Sequence, residues 1–262
     1  MALTRSGINY LASTGTGPAV VFLHGVTLDS RMWSAQVAAY ADRWRCITVD
    51  LRGHGRSAPL EPGYDPAADL LEVLEESDTG LCTVVGLSLG GYEAVVFAAL
   101  HPEHCGGVLL VDAWIPGPVL AGWEPPFRLA REAGADAARE AWLADPLFAA
   151  ARCQPETFAS LKEMVFHNDL RIWTEQVQRA TRPSLRELAA RIQAPTQVMV
   201  GAEDLPGFKG AAAWLVATIP GSAGRPLKTL KNAGHLAPME TPEVFNQELS
   251  AFVNSLHPLS GG

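Results

Sequence analysis

The sequence predicts an α/β fold, a parallel sheet covered by helices on both faces, with a block of helices inserted late between two strands. Three observations predict it. Five short apolar runs carry no charge and are rich in β-branched residues, helix-like segments alternate with them, and the alternation stops over residues 113–183, where only helical patterns occur.

The runs lie at 20–23, 46–49, 83–85, 108–111 and 197–200. Continuous apolarity without a polar alternate suits strands buried on both sides. Residues 32–40, 67–76, 92–100 and 243–255 read as helices between and after them. Pro18, Pro102 and Pro195 fall in the connections, and Pro242 opens the last helix, where a missing N–H leaves no bond unmade. Within the insertion, 127–133, 135–143, 155–166 and 172–180 look helical, separated by Pro and Gly. The expected organisation is a core of residues 1–112 and 184–262 carrying a helical cap, 113–183. Trp114, Trp123, Trp142 and Trp173 lie in that cap, where large rings either fasten it to the body or line a pocket.

Composition narrows the function. Nearly half of the 262 residues are hydrophobic, 18% are charged, and the formal net charge is -8, so a large core is available and no basic run exists to hold phosphate. Nucleic acid and anionic membrane are not expected partners. The first ten residues include Thr4, Arg5, Ser6 and Asn9, which break any apolar stretch of signal or anchor type, so a cytoplasmic location is expected. Cys46, Cys82, Cys105 and Cys153 form neither a C-x-x-C pair nor a Cys/His cluster and read as free thiols.

The sharpest motif is Gly86-Leu87-Ser88-Leu89-Gly90-Gly91, placed after a buried strand and before an Ala/Val/Phe-rich helix. A serine on such a strained strand-to-helix turn projects its hydroxyl, and the flanking glycines let backbone pass close by. The Leu89 N–H then opens a helix whose dipole favours negative charge, which gives half of an oxyanion hole. The other half is expected from Val26, in His24-Gly25-Val26 at the end of the first strong strand.

His235, in Asn232-Ala233-Gly234-His235-Leu236-Ala237-Pro238, lies on a late loop after the strand-like stretch 227–230 and is the expected general base. His101, His104, His167 and His257 read as exposed polar residues on helices or their ends. Asp204, ending Gly201-Ala202-Glu203-Asp204, is the expected partner of the imidazole, in the chain order Ser, Asp, His that accompanies a nucleophile on this kind of turn. Glu203 is expected to point to solvent. Asp112 ends the preceding strand on the same edge and is an alternative acid.

These residues, with Asp50-Leu51-Arg52-Gly53-His54-Gly55-Arg56-Ser57, resemble the α/β-hydrolase superfamily over nearly the whole chain. The resemblance implies an eight-stranded, mostly parallel sheet, an active site at the carboxyl ends of its strands, a structural role for His54, and no metal or cofactor. Residues 140–148 and 201–208 are similar to small bacterial esterases and 3-oxoadipate enol-lactonase-like members. Ser88 stands where dehalogenase and epoxide-hydrolase relatives carry a carboxylate.

The function expected is hydrolysis of a small to medium apolar carboxylic ester or lactone through an acyl-Ser88 intermediate, in a monomer or homodimer. Val26, Trp114, Trp123, Trp142, Leu205 and Leu236 are expected around the substrate. Alternatives are the same triad acting on a thioester or a C–C bond or in perhydrolysis, and a ligand-sensing protein that uses the fold as a binding cup.

Overall fold

The computed structural model describes residues 2–116, 126–175 and 177–256. Eight strands form one sheet: β1 (Ala2–Leu3), β2 (Asn9–Ala12), β3 (Ala19–Leu23), β4 (Arg45–Val49), β5 (Cys82–Leu87), β6 (Cys105–Val111), β7 (Thr196–Gly201) and β8 (Lys228–Leu230). Their order is β1-β2-β4-β3-β5-β6-β7-β8, with parallel pairing from β4 through β8 and antiparallel pairing of β1 with β2 and of β2 with β4. The mostly parallel eight-stranded sheet is as expected.

Among the described residues twelve α-helices surround it: α1 (Ser34–Tyr40), α2 (Pro66–Glu76), α3 (Leu89–Leu100), α4 (Phe127–Glu132), α5 (Ala135–Ala144), α6 (Ala149–Arg152), α7 (Pro155–His167), α8 (Arg171–Thr174), α9 (Leu185–Ala189), α10 (Pro206–Thr218), α11 (Ala237–Glu240) and α12 (Pro242–Leu256). The strands' lack of polar alternation has a direct cause. Val20 and Phe22 pack in one core with Val85, Leu87, Leu109 and Val111, while Val21 and Leu23 pack in a second, on the opposite face, with Val84, Val108 and Leu110. A strand whose side chains alternate between two dry cores reads as continuously apolar.

The second core is closed by α2, α3, α9 and α10, through residues such as Leu70, Val73, Val96, Phe97, Leu188 and Leu215. The first is closed by α12 and by helices from α4 to α8, and so Trp142, Phe148, Leu161, Met164 and Trp173 belong to the same cluster as Phe22 and Trp33. Trp142 and Trp173 are 1% and 2% exposed and meet edge to face, 5.3 Å between centroids. Trp173 also meets Phe127 edge to face, at 5.6 Å, within the same set of helices.

The chain departs from the expected helical pattern after α8. The helix expected over 172–180 ends at Thr174, and the chain then extends so that Arg179 pairs with Tyr64, through Gly63 N–H to Gln178 O (2.8 Å) and Ala180 N–H to Tyr64 O (3.0 Å). Ionic contacts explain the preference: Arg179 binds the buried Glu93 of α3, and Arg182 binds Asp65, the residue that caps α2. Cys46, Cys82, Cys105 and Cys153 are free thiols, the first three buried. Among the described residues, no helix is long and apolar enough to cross a membrane.

Candidate active site

The turn joining β5 to α3 puts Ser88 at φ 53° and ψ -115°, a strained conformation for a residue with a Cβ. The two glycines of the motif make it possible by close approach: a Cβ on Gly86 would lie 2.2 Å from Gly90 O, and one on Gly90 would lie 2.1 Å from Leu23 O. Ser88 N–H donates to Val111 O (3.2 Å), and Ser88 O accepts from Trp114 N–H (3.0 Å), so the turn is bonded to the end of the neighbouring strand. Its side chain makes no capping bond to α3 and has no hydrogen-bond partner among the described residues. The hydroxyl is therefore uncommitted.

The Leu89 N–H, first in α3, and the Val26 N–H donate to no protein acceptor among the described residues. Val26 is held by its surroundings. His24 accepts the Leu51 N–H at Nε2 (2.9 Å), which puts its proton on Nδ1, bonded to Gly25 O (2.8 Å). Thr27, at φ 63°, donates from Oγ1 to Val26 O (2.6 Å) and accepts from Trp142 Nε1–H (2.9 Å). Helix α5 thus touches the loop that carries Val26, a connection with no trace in the sequence.

His235 lies on the loop between β8 and α11, buried at 2% exposure, its ring 4.3 Å from that of Phe208. Its Nδ1 is 2.9 Å from Asp204 Oδ2. A carboxylate only accepts, so the proton sits on Nδ1 and the Nε2 lone pair is left for another donor. Asp204 is aimed from behind by the Leu205 N–H, 2.6 Å from Oδ1, and the two loops are tied by Glu203 N–H to Ala233 O (2.8 Å) and Ala202 N–H to Leu230 O (2.8 Å). Glu203 is exposed, as expected.

Asp112, the alternative acid, takes another position. It ends β6 at φ 47°, is fully buried, and accepts the Gly201 N–H at Oδ1 (2.7 Å), while Asp204 holds the imidazole. Burial, and then the Asp204 carboxylate beside it, push the Asp112 carboxyl well above the usual range. Glu240, which the sequence reading passed over, accepts the Gly234 N–H at 2.5 Å and is likewise raised, first by burial. Its spacing, five residues past His235 on the same short segment, was the available signal. Among the described residues, one grouping brings His, Cys, Asp or Glu donor atoms within 4.8 Å of one another: Asp112, Asp204 and His235. The Asp204–His235 hydrogen bond joins two of the three, and the third, Asp112, is bonded to the Gly201 N–H.

Val26, Trp114 and Leu205 are half-buried at the border of the first core, Leu236 is buried, and Trp142 is engaged by Thr27. Trp123 lies outside the described residues, as does His257. His101 and His104 are half-buried and His167 is exposed. The Asp50 motif is structural: Asp50 accepts the Ser30 (2.8 Å) and Arg56 (2.9 Å) N–H groups and the Asn9 amide (2.9 Å), and Arg52 pairs with Asp69 at 2.6 Å. His54 packs on His24, and burial, with His24 adding to it, lowers it to about 3.

Comparison with known proteins agrees with this architecture. An esterase from Thermogutta terrifontis superposes with a TM-score of 0.80 at 27% identity, over 95% of this chain and 94% of that one. A 3-oxoadipate enol-lactonase of Acinetobacter baylyi is 24% identical over 241 residues, 89% of this chain and 88% of that protein. An esterase of Mycobacterium tuberculosis is 38% identical over 109 residues, a match spanning 40% of this chain and only 36% of the relative's own length. The model of the Alpha/beta hydrolase family matches residues 20–248. With that span covering most of the chain and the strand order and elbow found here, the chain belongs to the alpha/beta hydrolase family.

Proposed function

We propose that this chain is a cofactor-free serine hydrolase that cleaves a small to medium apolar carboxylic ester or lactone, with Ser88 as nucleophile, His235 as general base and Asp204 as the acid that orients it. The observations that support the reading are the 2.9 Å bond between Asp204 Oδ2 and His235 Nδ1 and, on the elbow after β5, a serine whose hydroxyl makes no hydrogen bond among the described residues. With its proton fixed on Nδ1, the imidazole takes the Ser88 proton at Nε2 as Oγ attacks the carbonyl, and returns it to the departing alkoxide. The oxyanion is received by the Val26 and Leu89 N–H groups, and α3 adds its dipole. Water, deprotonated in turn by His235, then releases the acid and regenerates the serine.

The half-buried apolar side chains of Val26, Trp114 and Leu205 favour a substrate without charge near the scissile bond. Residues 113–183 are read as a cap that closes one side of the site. The esterase and enol-lactonase names among the relatives support the ester or lactone class.

The test is a panel of p-nitrophenyl esters, lactones and acyl thioesters compared by kcat/KM, with Ser88→Ala as control. Preference for esters or lactones, abolished in Ser88→Ala, supports the proposal. Preference for thioesters redirects the same triad, and ligand binding with negligible turnover in the unmutated protein would point to a sensor.

A further inference from the structure

We propose that Asp112 is held as a neutral carboxylic acid in the folded protein and donates its proton from Oδ2 to the Asp204 carboxylate, which makes Asp112 a positioning residue for the acid of the triad. The inference rests on the assignment of Asp204 and His235 made above, and deepens it.

Hydrogen-bond arithmetic leads to it. Asp204 receives two protein donors, Leu205 N–H on Oδ1 and His235 Nδ1–H on Oδ2. Asp112 receives one, Gly201 N–H on Oδ1, and its Oδ2 is buried with no donor to accept from. One oxygen of each carboxyl nevertheless lies within 4.8 Å of the other and of an imidazole nitrogen. Two acceptors meeting away from water repel unless a proton lies between them.

The proton belongs on the carboxyl with fewer donors, since each N–H bond favours the ionised form. That carboxyl is Asp112. Buried unpartnered oxygen then becomes a satisfied O–H donor, and the orphan disappears.

The charged and titratable groups facing Asp112 are Asp204 from the loop after β7, His235 from the loop after β8 and Glu240 from α11. The imidazole, with its proton on Nδ1 and a lone pair on Nε2, brings no charge to balance two adjacent ionised aspartates, and none of the three facing groups named among the described residues is a Lys or Arg. A pair of carboxyls sharing one proton is the low-energy arrangement. Its structural effect is on Asp204: the donated bond and the Leu205 N–H fix the plane of that carboxylate, so Oδ2 stays aimed at His235. The left-handed backbone of Asp112, at φ 47°, is what turns its side chain toward the neighbouring strand end.

The direct test is infrared spectroscopy of the whole protein with its aspartate carboxyls labelled with carbon-13. A label-sensitive carboxylic-acid C=O stretch at pH 7, absent in Asp112→Asn, is expected; labelling separates it from any glutamic acid band. Absence of that band in the unmutated protein, or its persistence in Asp112→Asn, overturns the inference. Stability supplies a second readout.

A folded-state carboxyl that stays protonated while the unfolded one ionises above about pH 4 loses stability as pH rises, so the Tm difference between Asp112→Asn and the parent should grow more positive from pH 4 to 8. A difference that falls with pH would mean that Asp112 is ionised. In turnover, Asp112→Ala should lower kcat by roughly 10- to 100-fold with KM little changed, and Asp112→Asn, whose amide still donates to Asp204, should restore most of it. Failure of Asn to rescue, with the fold intact, contradicts the donor role. The infrared band does not need turnover, so it decides the inference even if Ser88→Ala were found fully active and the hydrolase reading fell.

Discussion

Asp204→Asn is the substitution whose consequence follows most closely from the geometry. The Leu205 N–H, 2.6 Å from Oδ1, demands an acceptor at that position, so the amide oxygen of the asparagine must occupy it. The NH2 then faces His235 Nδ1, where the carboxylate oxygen stood at 2.9 Å. Two donors cannot face each other, so the imidazole moves its proton to Nε2 and presents Nδ1 as the acceptor. In that tautomer Nε2, the nitrogen proposed to take the Ser88 proton, has no lone pair for it. A loss of about four orders of magnitude in kcat/KM is expected, about 5.5 kcal/mol of transition-state stabilisation.

The assay is p-nitrophenyl butyrate hydrolysis at pH 8 with circular dichroism and Tm as checks on folding, because the change is isosteric and should leave both near the parent values. A variant that folds normally and keeps activity within tenfold of the parent would refute the reasoning and return Asp112 to candidacy as the orienting acid.

Three further outcomes follow from other parts of the structure. His54, lowered to about 3, and His24, lowered by burial, are neutral when folded but protonate near pH 6.5 when unfolded, so stability is full above that pH and falls by about 1.4 kcal/mol per pH unit per group as acid is added; His54→Gln should flatten the fall, read from urea midpoints between pH 4 and 7. Trp142→Phe removes the 2.9 Å bond to Thr27 Oγ1 and part of a buried ring, which should lower stability by about 2 kcal/mol, a Tm decrease of about 4–8 °C, and reduce kcat through the Val26 loop; an unchanged kcat would uncouple cap from loop. Glu93→Ala leaves Arg179 without its buried acid and Arg182 with Asp65 alone, and should destabilise by about 3–5 kcal/mol in denaturant titration, far more than removal of the exposed Arg128–Glu132 pair.

The parts of this molecule that were legible in the sequence are those whose physics is local. Strands β3, β5 and β6 announce themselves because both faces are dry, and the Ser88 elbow because only glycine tolerates the approach of Gly90 O and Leu23 O. β1 and β2 were not foreseen: Asn9-Tyr10-Leu11-Ala12 is half-exposed, so its pattern is short and mixed. α10 was hidden by Gly207 and Gly210 within its span, although Pro206 at its first turn marks its start. α9 carried a readable sign, the reciprocal Ser184–Glu187 capping box.

The missing information was long-range. Arg179 leaves a helical pattern because Glu93, 86 residues away, pulls it into an extended pairing with Tyr64. Thr27 and Glu240 acquire their places only when α5 and α11 are in position, and it is the Asp204 loop that reaches His235, which chain order indicates and spacing does not.

The central claim is that His235 makes Ser88 nucleophilic, and active-site labelling tests it most directly. A fluorophosphonate probe, followed by peptide mass spectrometry, should modify Ser88 stoichiometrically, and His235→Ala should slow that labelling by at least about a thousandfold. Adduct on a different residue, or equal labelling rates in the two proteins, would contradict the account.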